Sequence, residues 1–306
     1  MPEVSVIIPA YNKADLTVKT VQSVLVQTYK DLEILVVDDG STDQTKERML
    51  AFGDKIQYIH KPNGGACSAR NLGIRRSRGT FIAFLDCDDL YDEKKIELSV
   101  GYLKKNPKFG YVHTDAYFID QDGGIIRKYS HPRARKEGWV ARKLVLGNFI
   151  CNSTVVVRRE ILEKAGLFDE SIFTPADWDL WIRLAEVAPV GYLNMPLTGY
   201  RVTDNYIFRR IELAQKEEGA VIENFFKRNP RWNHLRSGVL SNYHLRYAEC
   251  YFLKDNENRL REEFFSSLKF NPLNFKAIVL FFYYLLAQRH LRRNLHQRIL
   301  RTNESA

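Results

Sequence analysis

The chain has 306 residues, of which 45% are hydrophobic and 12% aromatic, which is enough for a packed core and excludes a largely disordered protein. Its formal net charge is +9, but residues 1–204 hold 28 Lys and Arg against 27 Asp and Glu, whereas residues 205–306 hold 18 against 10. A basic helical stretch is most often a solvated face, so the charge alone does not indicate nucleic-acid binding.

The predicted elements alternate through the first half of the chain. In chain order they are a strand at 4–8, a helix at 16–27, a strand at 33–37, a helix at 42–51, a strand at 57–60, a helix at 65–76 and a strand at 81–85. Such alternation predicts an α/β fold whose mostly parallel sheet is flanked by helices.

The character of the sequence changes near Asp204. Long, basic, helix-favouring stretches follow at residues 207–228, 239–254, 259–270 and 274–293. We therefore expect an α/β domain at residues 1–204, divided near residue 110, and a basic helical C-terminal region at residues 205–306.

Cysteine spacing and apolar runs bear on the compartment. The four cysteines form no CxxC pair, so we expect neither a zinc ribbon nor a disulfide framework. The chain enters a strand-like run at residues 4–8, which leaves no room for a signal peptide, and the longest apolar run, residues 277–287, is too short to span a bilayer. A cytoplasmic protein is expected. Peripheral contact of its basic C-terminal helices with the inner face of the cell membrane stays open as an alternative.

Three carboxylates crowd the end of the predicted strand at 81–85. Asp86, Asp88 and Asp89 follow it, with Cys87 between the first two. Crowded carboxylates repel one another unless a cation lies between them, and Asp oxygens suit Mg²⁺ or Mn²⁺ held together with substrate phosphates. An Asx turn is the alternative. A calcium loop is less favoured, because no Gly follows at the sixth position.

Two other strand ends carry residues suited to a nucleotide. Pro9, Ala10, Tyr11 and Asn12 follow the first strand, and Asp38 and Asp39 follow the second. Carboxyl ends of parallel strands meet in one crevice, where Tyr11 could stack on a base and an Asp carboxylate could accept a hydrogen bond from a pyrimidine imide. A turn leading into an N-capped helix explains the Asp pair equally well.

Two further positions complete the candidate set. Arg70 lies in a helix that follows the Gly64-Gly65 loop, where it could contact a phosphate or a base. Asp177 begins a stretch typical of a helix and could act as a general base. The alternative for Asp177 is a capping box, with Thr174 as the N-cap and Pro175 as the first helical residue.

Taken together, these motifs resemble the family 2 glycosyltransferases, whose catalytic domain adopts the GT-A nucleotide-diphospho-sugar transferase fold. The resemblance covers about two thirds of the chain. The matching motifs are residues 4–12 (VSVIIPAYN), 36–43 (VVDDGSTD), 65–71 (GACSARN), 84–89 (FLDCDD) and 177–181 (DWDLW).

The resemblance implies an inverting transfer of one sugar from a nucleotide-diphosphate sugar, with uridine expected, to an acceptor hydroxyl in polysaccharide or glycolipid assembly. It further implies roles for the residues above. Pro9, Ala10, Tyr11, Asn12, Asp38, Asp39, Arg70, Asp86 and Cys87 would bind the nucleotide, Asp88 and Asp86 the Mn²⁺ or Mg²⁺ ion, and Asp177 would be the catalytic base.

The match to the family pattern departs at two places. Ala176 stands where the family normally has a second acid before the base, and the QxxRW signature of processive synthases is not present, since Arg228 replaces its Gln before Arg231 and Trp232. Transfer of one sugar per encounter is therefore expected rather than polymerisation.

Two alternative functions stay open at this point. A sugar-nucleotide pyrophosphorylase-like nucleotidyltransferase should have a Gly-rich, Arg-containing loop directly after the first strand, where this chain has Pro9 to Asn12. A non-enzymatic basic binding protein should show salt-sensitive nucleic-acid binding. The sequence does not identify the acceptor, although Asn148, Asn152, Ser153 and Thr154 are candidates for its pocket, with strand-edge roles equally open.

Overall fold

The computed structural model describes residues 1–129, 137–202 and 210–286. The chain divides into two compact units, Met1–Asp204 and Asn205–Ala306.

A nine-stranded sheet forms the centre of the first unit. The strands are β1 (Val4–Ala10), β2 (Leu32–Asp38), β3 (Gln57–His60), β4 (Phe81–Phe84), β5 (Leu90–Tyr91), β6 (Tyr111–Ile119), β7 (Ile125–Tyr129), β8 (Val156–Arg158) and β9 (Val190–Arg201). Their order is β3-β2-β1-β4-β8-β6-β9-β5, and β7 pairs with residues 116–119 of β6, beyond the two residues that pair with β8. The α/β fold expected from the sequence is confirmed.

The sheet is mixed rather than mostly parallel. Strands β3, β2, β1 and β4 are parallel neighbours, as the alternation of elements predicts. Strand β8 then inserts antiparallel between β4 and β6. Strand β9 runs parallel to β6 and antiparallel to β5, so the second half of the sheet combines both directions.

The first unit has seven helices within residues 1–129 and 137–202. They are α1 (Ala14–Leu25), α2 (Thr45–Leu50), α3 (Ala66–Arg76), α4 (Lys95–Lys105), α5 (Ala141–Leu144), α6 (Arg159–Ala165) and α7 (Ala176–Val187). The predicted helices lie within about three residues of α1, α2 and α3, which is ordinary fraying of helix ends.

Burial explains why β1 and β2 read as continuous apolar runs. Every residue of β1 is buried, and in β2 all but the first are. Strands covered by helices on both faces need apolar side chains on both faces, and β-branched residues fit that setting. The acids therefore begin only where each strand leaves the core.

The second unit is helical, with α8 (Ile211–Arg228), α9 (Arg236–Leu253), α10 (Glu257–Phe270) and α11 (Phe275–Leu286). Helices α9 and α10 are joined by a buried contact of Ser241 with Ser267 at 3.1 Å and by His244 with Glu263 at 2.7 Å. No helix of the described residues is long and apolar enough to cross a membrane. The end of the fourth predicted helix and the arginines from Arg289 onward lie outside the described residues, and membrane contact stays a prediction.

One buried cation in the first unit has an unusual environment. The side chain of Lys95 is fully buried in α4. Its ammonium lies 3.3 Å from Ser99 Oγ and 5.2 Å from the centre of the Tyr91 ring, and no ion pair of Lys95 is present among the described residues. Burial lowers the pKa of Lys95 to about 7.

We predict that Lys95→Met stabilises the protein in a pH-dependent way. Between the folded pKa of about 7 and the higher unfolded value, only the unfolded state binds the proton, so wild-type stability rises with pH in this window. The gain in melting temperature of Lys95→Met should be several degrees near pH 7 and should shrink toward pH 10. A constant gain across this range, measured by thermal unfolding, would contradict the argument.

Candidate functional site

The acid loop, Asp86 to Asp89, leaves the sheet directly after β4 and Leu85. Asp89, which is 1% exposed, anchors this loop to neighbouring segments. The Asp89 carboxylate accepts hydrogen bonds from the Ser153 hydroxyl and from the backbone N–H of Arg201 at 2.9 Å. The Arg201 guanidinium in turn donates to the Asp88 carbonyl at 2.6 Å. The loop is thereby fixed to β9, and burial raises the pKa of Asp89, with Asp86 and Asp88 adding to the effect.

Asp86 faces a basic and an amide partner. Its Oδ1 atom accepts hydrogen bonds from Arg70 at 2.6 Å and from the Asn152 side chain at 2.8 Å. The Arg70 guanidinium also lies 5.3 Å from the centre of the Phe168 ring, which fixes its plane. Asp86 is thus charge-compensated and keeps a side chain that is 28% exposed.

Asp88 points to a different partner, the ammonium of Lys13, at 2.5 Å. Burial alone would lower the pKa of Lys13, but the charge and hydrogen bond of Asp88, with the charge of Asp86, outweigh it and raise that pKa. The Cys87 thiol is buried, and desolvation raises its pKa to about 12. Cys87 is therefore a neutral thiol rather than a thiolate ligand.

The loops after β1 and β2 bind each other. Asn12 has a positive φ of 49°, its side-chain oxygen accepts the Thr42 N–H at 2.8 Å, and its own N–H donates to Ser41 Oγ at 3.0 Å. Pro9 and Ala10 lie inside the sheet, whereas Tyr11 is 48% exposed. The aromatic ring therefore projects from an otherwise fixed edge.

The two carboxylates after β2 differ in what they can still bind. Asp38 is fully buried and accepts the Ser41 N–H at 2.8 Å and the Tyr58 hydroxyl at 2.5 Å. Asp39 accepts the Lys61 ammonium at 2.6 Å and the N–H groups of Gly64 and Gly65 at 2.9 and 2.7 Å. A carboxylate offers about four acceptor positions, so Asp39 retains about one and the fully buried Asp38 about two.

Asp177 lies in the first turn of α7. Its carboxylate accepts the Asn148 side-chain N–H at 3.2 Å and the Trp178 backbone N–H at 2.7 Å. Burial raises the pKa of Asp177 to about 6, against the lowering effect of Arg70 and together with the charge of Asp86. The charge of Arg70, whose guanidinium binds Asp86, therefore lowers the pKa of Asp177 as well.

The capping box considered for Asp177 is wrong. Helix α7 begins at Ala176, one residue later than that arrangement requires, and its N-cap is Pro175, which has no capping side chain. The helix is instead anchored farther along, where Asp179 binds Arg183 at 2.8 Å and Arg183 donates to the carbonyls of Ala165 and Leu167. The Asp177 carboxyl binds the Trp178 N–H of its own helix and the Asn148 side chain outside that helix.

The side chains of the acid loop supply carboxylates, which are hard metal ligands. Within the described residues, no group of three or more His, Cys, Asp or Glu is arranged to hold a metal ion. Asp86 and Asp88 each have their own cationic partner rather than a shared one. A divalent ion at this place would take one or two carboxylates and complete its coordination with oxygens of a bound phosphate.

Several residues of the site were not predicted. Lys13, Lys61 and Arg201 each bind an acid of the strand ends or its loop. Lys13 could have been found from its position, because it directly follows Asn12 in the loop after the first predicted strand. Arg201 lies more than a hundred residues from Asp88 in the chain, so no local pattern indicates their contact.

Comparison with known proteins identifies relatives of this arrangement. A sequence model described as Glycosyl transferase family 2 matches residues 5–166. An uncharacterized glycosyltransferase of Rickettsia typhi is 37% identical over 206 residues, covering 66% of this chain and 65% of that protein. The chondroitin synthase of Escherichia coli is 32% identical over 231 residues, covering 74% of this chain and 32% of that protein. The hyaluronan synthase of Pasteurella multocida is 30% identical over 234 residues, covering 74% of this chain and 23% of that protein.

Solved structures share the fold. The mannosyltransferase PcManGT of Pyrobaculum calidifontis, in complex with GDP-Man and Mn²⁺, aligns with a TM-score of 0.62 at 17% identity, covering 97% of this chain and 83% of that one. S. aureus TarS 1-349, in complex with UDP-GlcNAc, aligns with a TM-score of 0.58 at 15% identity, covering 86% and 89%. The GT-A fold expected from the sequence is confirmed.

We predict that Asp89 and Asp88 differ in their effect on stability. Asp89→Ala leaves the buried N–H of Arg201 unpaired and should lower the free energy of unfolding by about 2 kcal/mol. Asp88→Ala removes one ion pair in which the Lys13 side chain is 38% exposed and should cost less than about 1 kcal/mol. Urea unfolding of both variants measures the difference. Equal stability of the two would show that Asp89 does not hold the loop.

Proposed function

Because the chain belongs to glycosyl transferase family 2, we propose that it is an inverting glycosyltransferase that moves one sugar from a UDP-sugar to an acceptor hydroxyl. Residues 1–110 would bind the donor and residues 111–204 the acceptor. The observation that carries this proposal is the hydrogen bond of 2.6 Å from Arg70 to Asp86 in the acid loop. The charge of Arg70 also lowers the pKa of Asp177. The same arginine thus binds a donor-side acid and influences the pKa of the candidate base.

The proposed nucleotide site uses the loops after β1, β2 and β4. The exposed Tyr11 ring offers a face for base stacking, and the remaining acceptor position of Asp39 suits the imide N–H of uracil. Asp38, Pro9, Ala10, Asn12 and Cys87 shape this pocket. Arg70 and Asp86 lie toward the ribose and the sugar. Structures of this fold with UDP and with UDP-GlcNAc support a uridine donor, while a neighbour with GDP-Man gives the alternative base.

The residues of the acid loop fit a divalent metal, Mn²⁺ or Mg²⁺. A cationic group, the Lys13 ammonium, already lies 2.5 Å from an Asp88 oxygen, so this carboxylate is placed to bind positive charge. Asp88 would be the main ligand, with Asp86 beside it. When bound, the ion would neutralise negative charge on the leaving diphosphate.

Asp177 is the proposed catalytic base. The acceptor oxygen forms a bond to the anomeric carbon, the bond from that carbon to the diphosphate breaks, and the hydroxyl proton passes to Asp177. A pKa of about 6 keeps this carboxylate ionised at neutral pH yet more basic than an ordinary Asp. The hydrogen bonds from Asn148 and from the Trp178 N–H would hold its orientation.

The acceptor is proposed to be a growing polysaccharide or glycolipid, with addition of one residue per encounter. Relatives named chondroitin synthase and hyaluronan synthase support a polysaccharide context. The family assignment disfavours both the nucleotidyltransferase and the nucleic-acid-binding alternatives. We also propose that the protein is located in the cytoplasm or on the inner face of the cell membrane. Cell fractionation tests this location separately.

The donor site is tested by metal-dependent thermal stabilisation. UDP with Mn²⁺ should raise the melting temperature of the wild type more than CDP does, because cytosine lacks the imide N–H. Asp88→Ala should lose most of the Mn²⁺-dependent part, whereas the matched surface variant Asp122→Asn should retain it. Equal stabilisation of wild type and Asp88→Ala would remove Asp88 from the metal site.

The base is tested by its pH dependence. Donor binding by Asp177→Asn should match that of the wild type, while transfer should fall at least about a thousandfold. Since the active form is the ionised carboxylate, wild-type kcat/KM should decrease about tenfold per unit below about pH 6 and be level above about pH 7. Normal transfer by Asp177→Asn, or a rate that rises as the pH falls through 6, would exclude Asp177 as the base.

A further inference from the structure

Three aromatic rings form a patch on the second half of the sheet, here called the aromatic face: Phe118 of β6, Tyr129 of β7 and Tyr200 of β9. Their ring centres are 5.0 Å apart for Phe118 and Tyr129, 5.8 Å for Phe118 and Tyr200, and 6.3 Å for Tyr129 and Tyr200. The Arg127 guanidinium lies 4.4 Å from the Phe118 ring centre. The rings therefore make one continuous surface.

Strand register explains why these side chains share a face. Phe118 pairs with Tyr200 across β6 and β9 and with Arg127 across β6 and β7, while Ala116, two residues before Phe118, pairs with Tyr129. Residues opposite each other or two apart point to the same side of a sheet. The grouping is thus fixed by the backbone.

The aromatic face is not part of the buried core. Tyr200 is 38% exposed, and Phe118 and Tyr129 are only partly buried. The large core cluster packed on the first half of the sheet does not include any of the three. Grouped, partly exposed rings characterise binding surfaces more often than structural surfaces.

The aromatic face lies beside the acid loop. Leu90, which follows the loop, pairs with Gly199, and the N–H of Arg201 binds Asp89, so Tyr200 lies between two residues that are hydrogen-bonded to this segment. Burial raises the pKa of Tyr200, with Cys151, Asp89 and Asp86 adding to it. Burial likewise raises the pKa of Tyr129, with contributions from Cys151 and Asp177. The pairing of β9 thus places Tyr200 beside the acid loop.

We infer that the aromatic face binds the acceptor and that the acceptor is a saccharide, an inference that rests on the proposed transferase function. One face of a pyranose ring carries mainly C–H groups, which pack on aromatic rings, while its hydroxyls find partners in tyrosine hydroxyls. An acceptor sugar stacked there would lie beside the acid loop, because Tyr200 neighbours Arg201, whose N–H binds Asp89. A lipid acceptor would pack on the apolar rings but would give the tyrosine hydroxyls no hydrogen-bond partner.

The inference is tested by saccharide binding in the absence of donor. The probes are tetrasaccharides of hyaluronan, chondroitin, chitin and cellulose, with farnesyl phosphate as the lipid probe, and the dissociation constants are measured by calorimetry and saturation-transfer NMR. Tyr200→Ala and Tyr129→Ala should each weaken binding of at least one tetrasaccharide about tenfold, while Tyr200→Phe should retain most of it. Ile126→Ala is the matched control, because Ile126 lies on β7 facing away from Tyr129 and is exposed.

Donor binding separates this inference from the proposed function. UDP with Mn²⁺ should stabilise Tyr200→Ala and Tyr129→Ala as much as the wild type, which also shows that the variants are folded. Saccharide binding within twofold of wild type in both variants would overturn the inference. So would a wild type that binds none of the tetrasaccharides, or one that binds farnesyl phosphate through the rings instead. A wild type that binds saccharide through these rings but no nucleotide sugar would overturn the transferase proposal alone.

Discussion

Compensation of negative charge is the constraint on which the edge of this sheet depends. Five carboxylates gather where β2 and β4 end, and such crowding is unfavourable unless each charge has a partner. Asp86 has Arg70, Asp88 has Lys13 and Asp39 has Lys61, while the buried Asp38 and Asp89 accept N–H and hydroxyl groups. The partners come from α3, β3, β9 and loops, so satisfying these charges draws distant parts of the first unit together.

The first half of the fold could be predicted because its information is local. Apolar runs in β1, β2 and β4 end in polar residues, and the period of the intervening segments is helical, so both the elements and the edge at which Tyr11, Asp39 and Asp86 lie follow from the sequence. Their partners could not be predicted in the same way. Arg201 meets Asp88 only because β9 pairs with β5, and pairing between distant strands leaves no trace in the local pattern.

The helix that carries Asp177 shows where local rules fail. Thr174 and Pro175 form a plausible start signal, yet α7 starts at Ala176. Its position is decided by tertiary contacts: Trp178 donates to the Leu144 carbonyl at 2.7 Å and Arg183 to three carbonyls before the helix. Such contacts override a cap worth about 1 kcal/mol. The five strands after β4 were likewise not predicted, and among them β8 runs antiparallel to both of its neighbours.

Strand β9 sets the distance between the acid loop and the aromatic face. Consecutive residues of a strand point to opposite faces and advance by about 3.3 Å. In β9, Arg201 fixes the acid loop and Tyr200, its immediate neighbour, joins the aromatic face. The spacing between the two surfaces is therefore a property of the backbone rather than of any flexible loop. A slip of one residue would exchange Tyr200 and Arg201 between faces, so the register of a single strand couples the integrity of both surfaces.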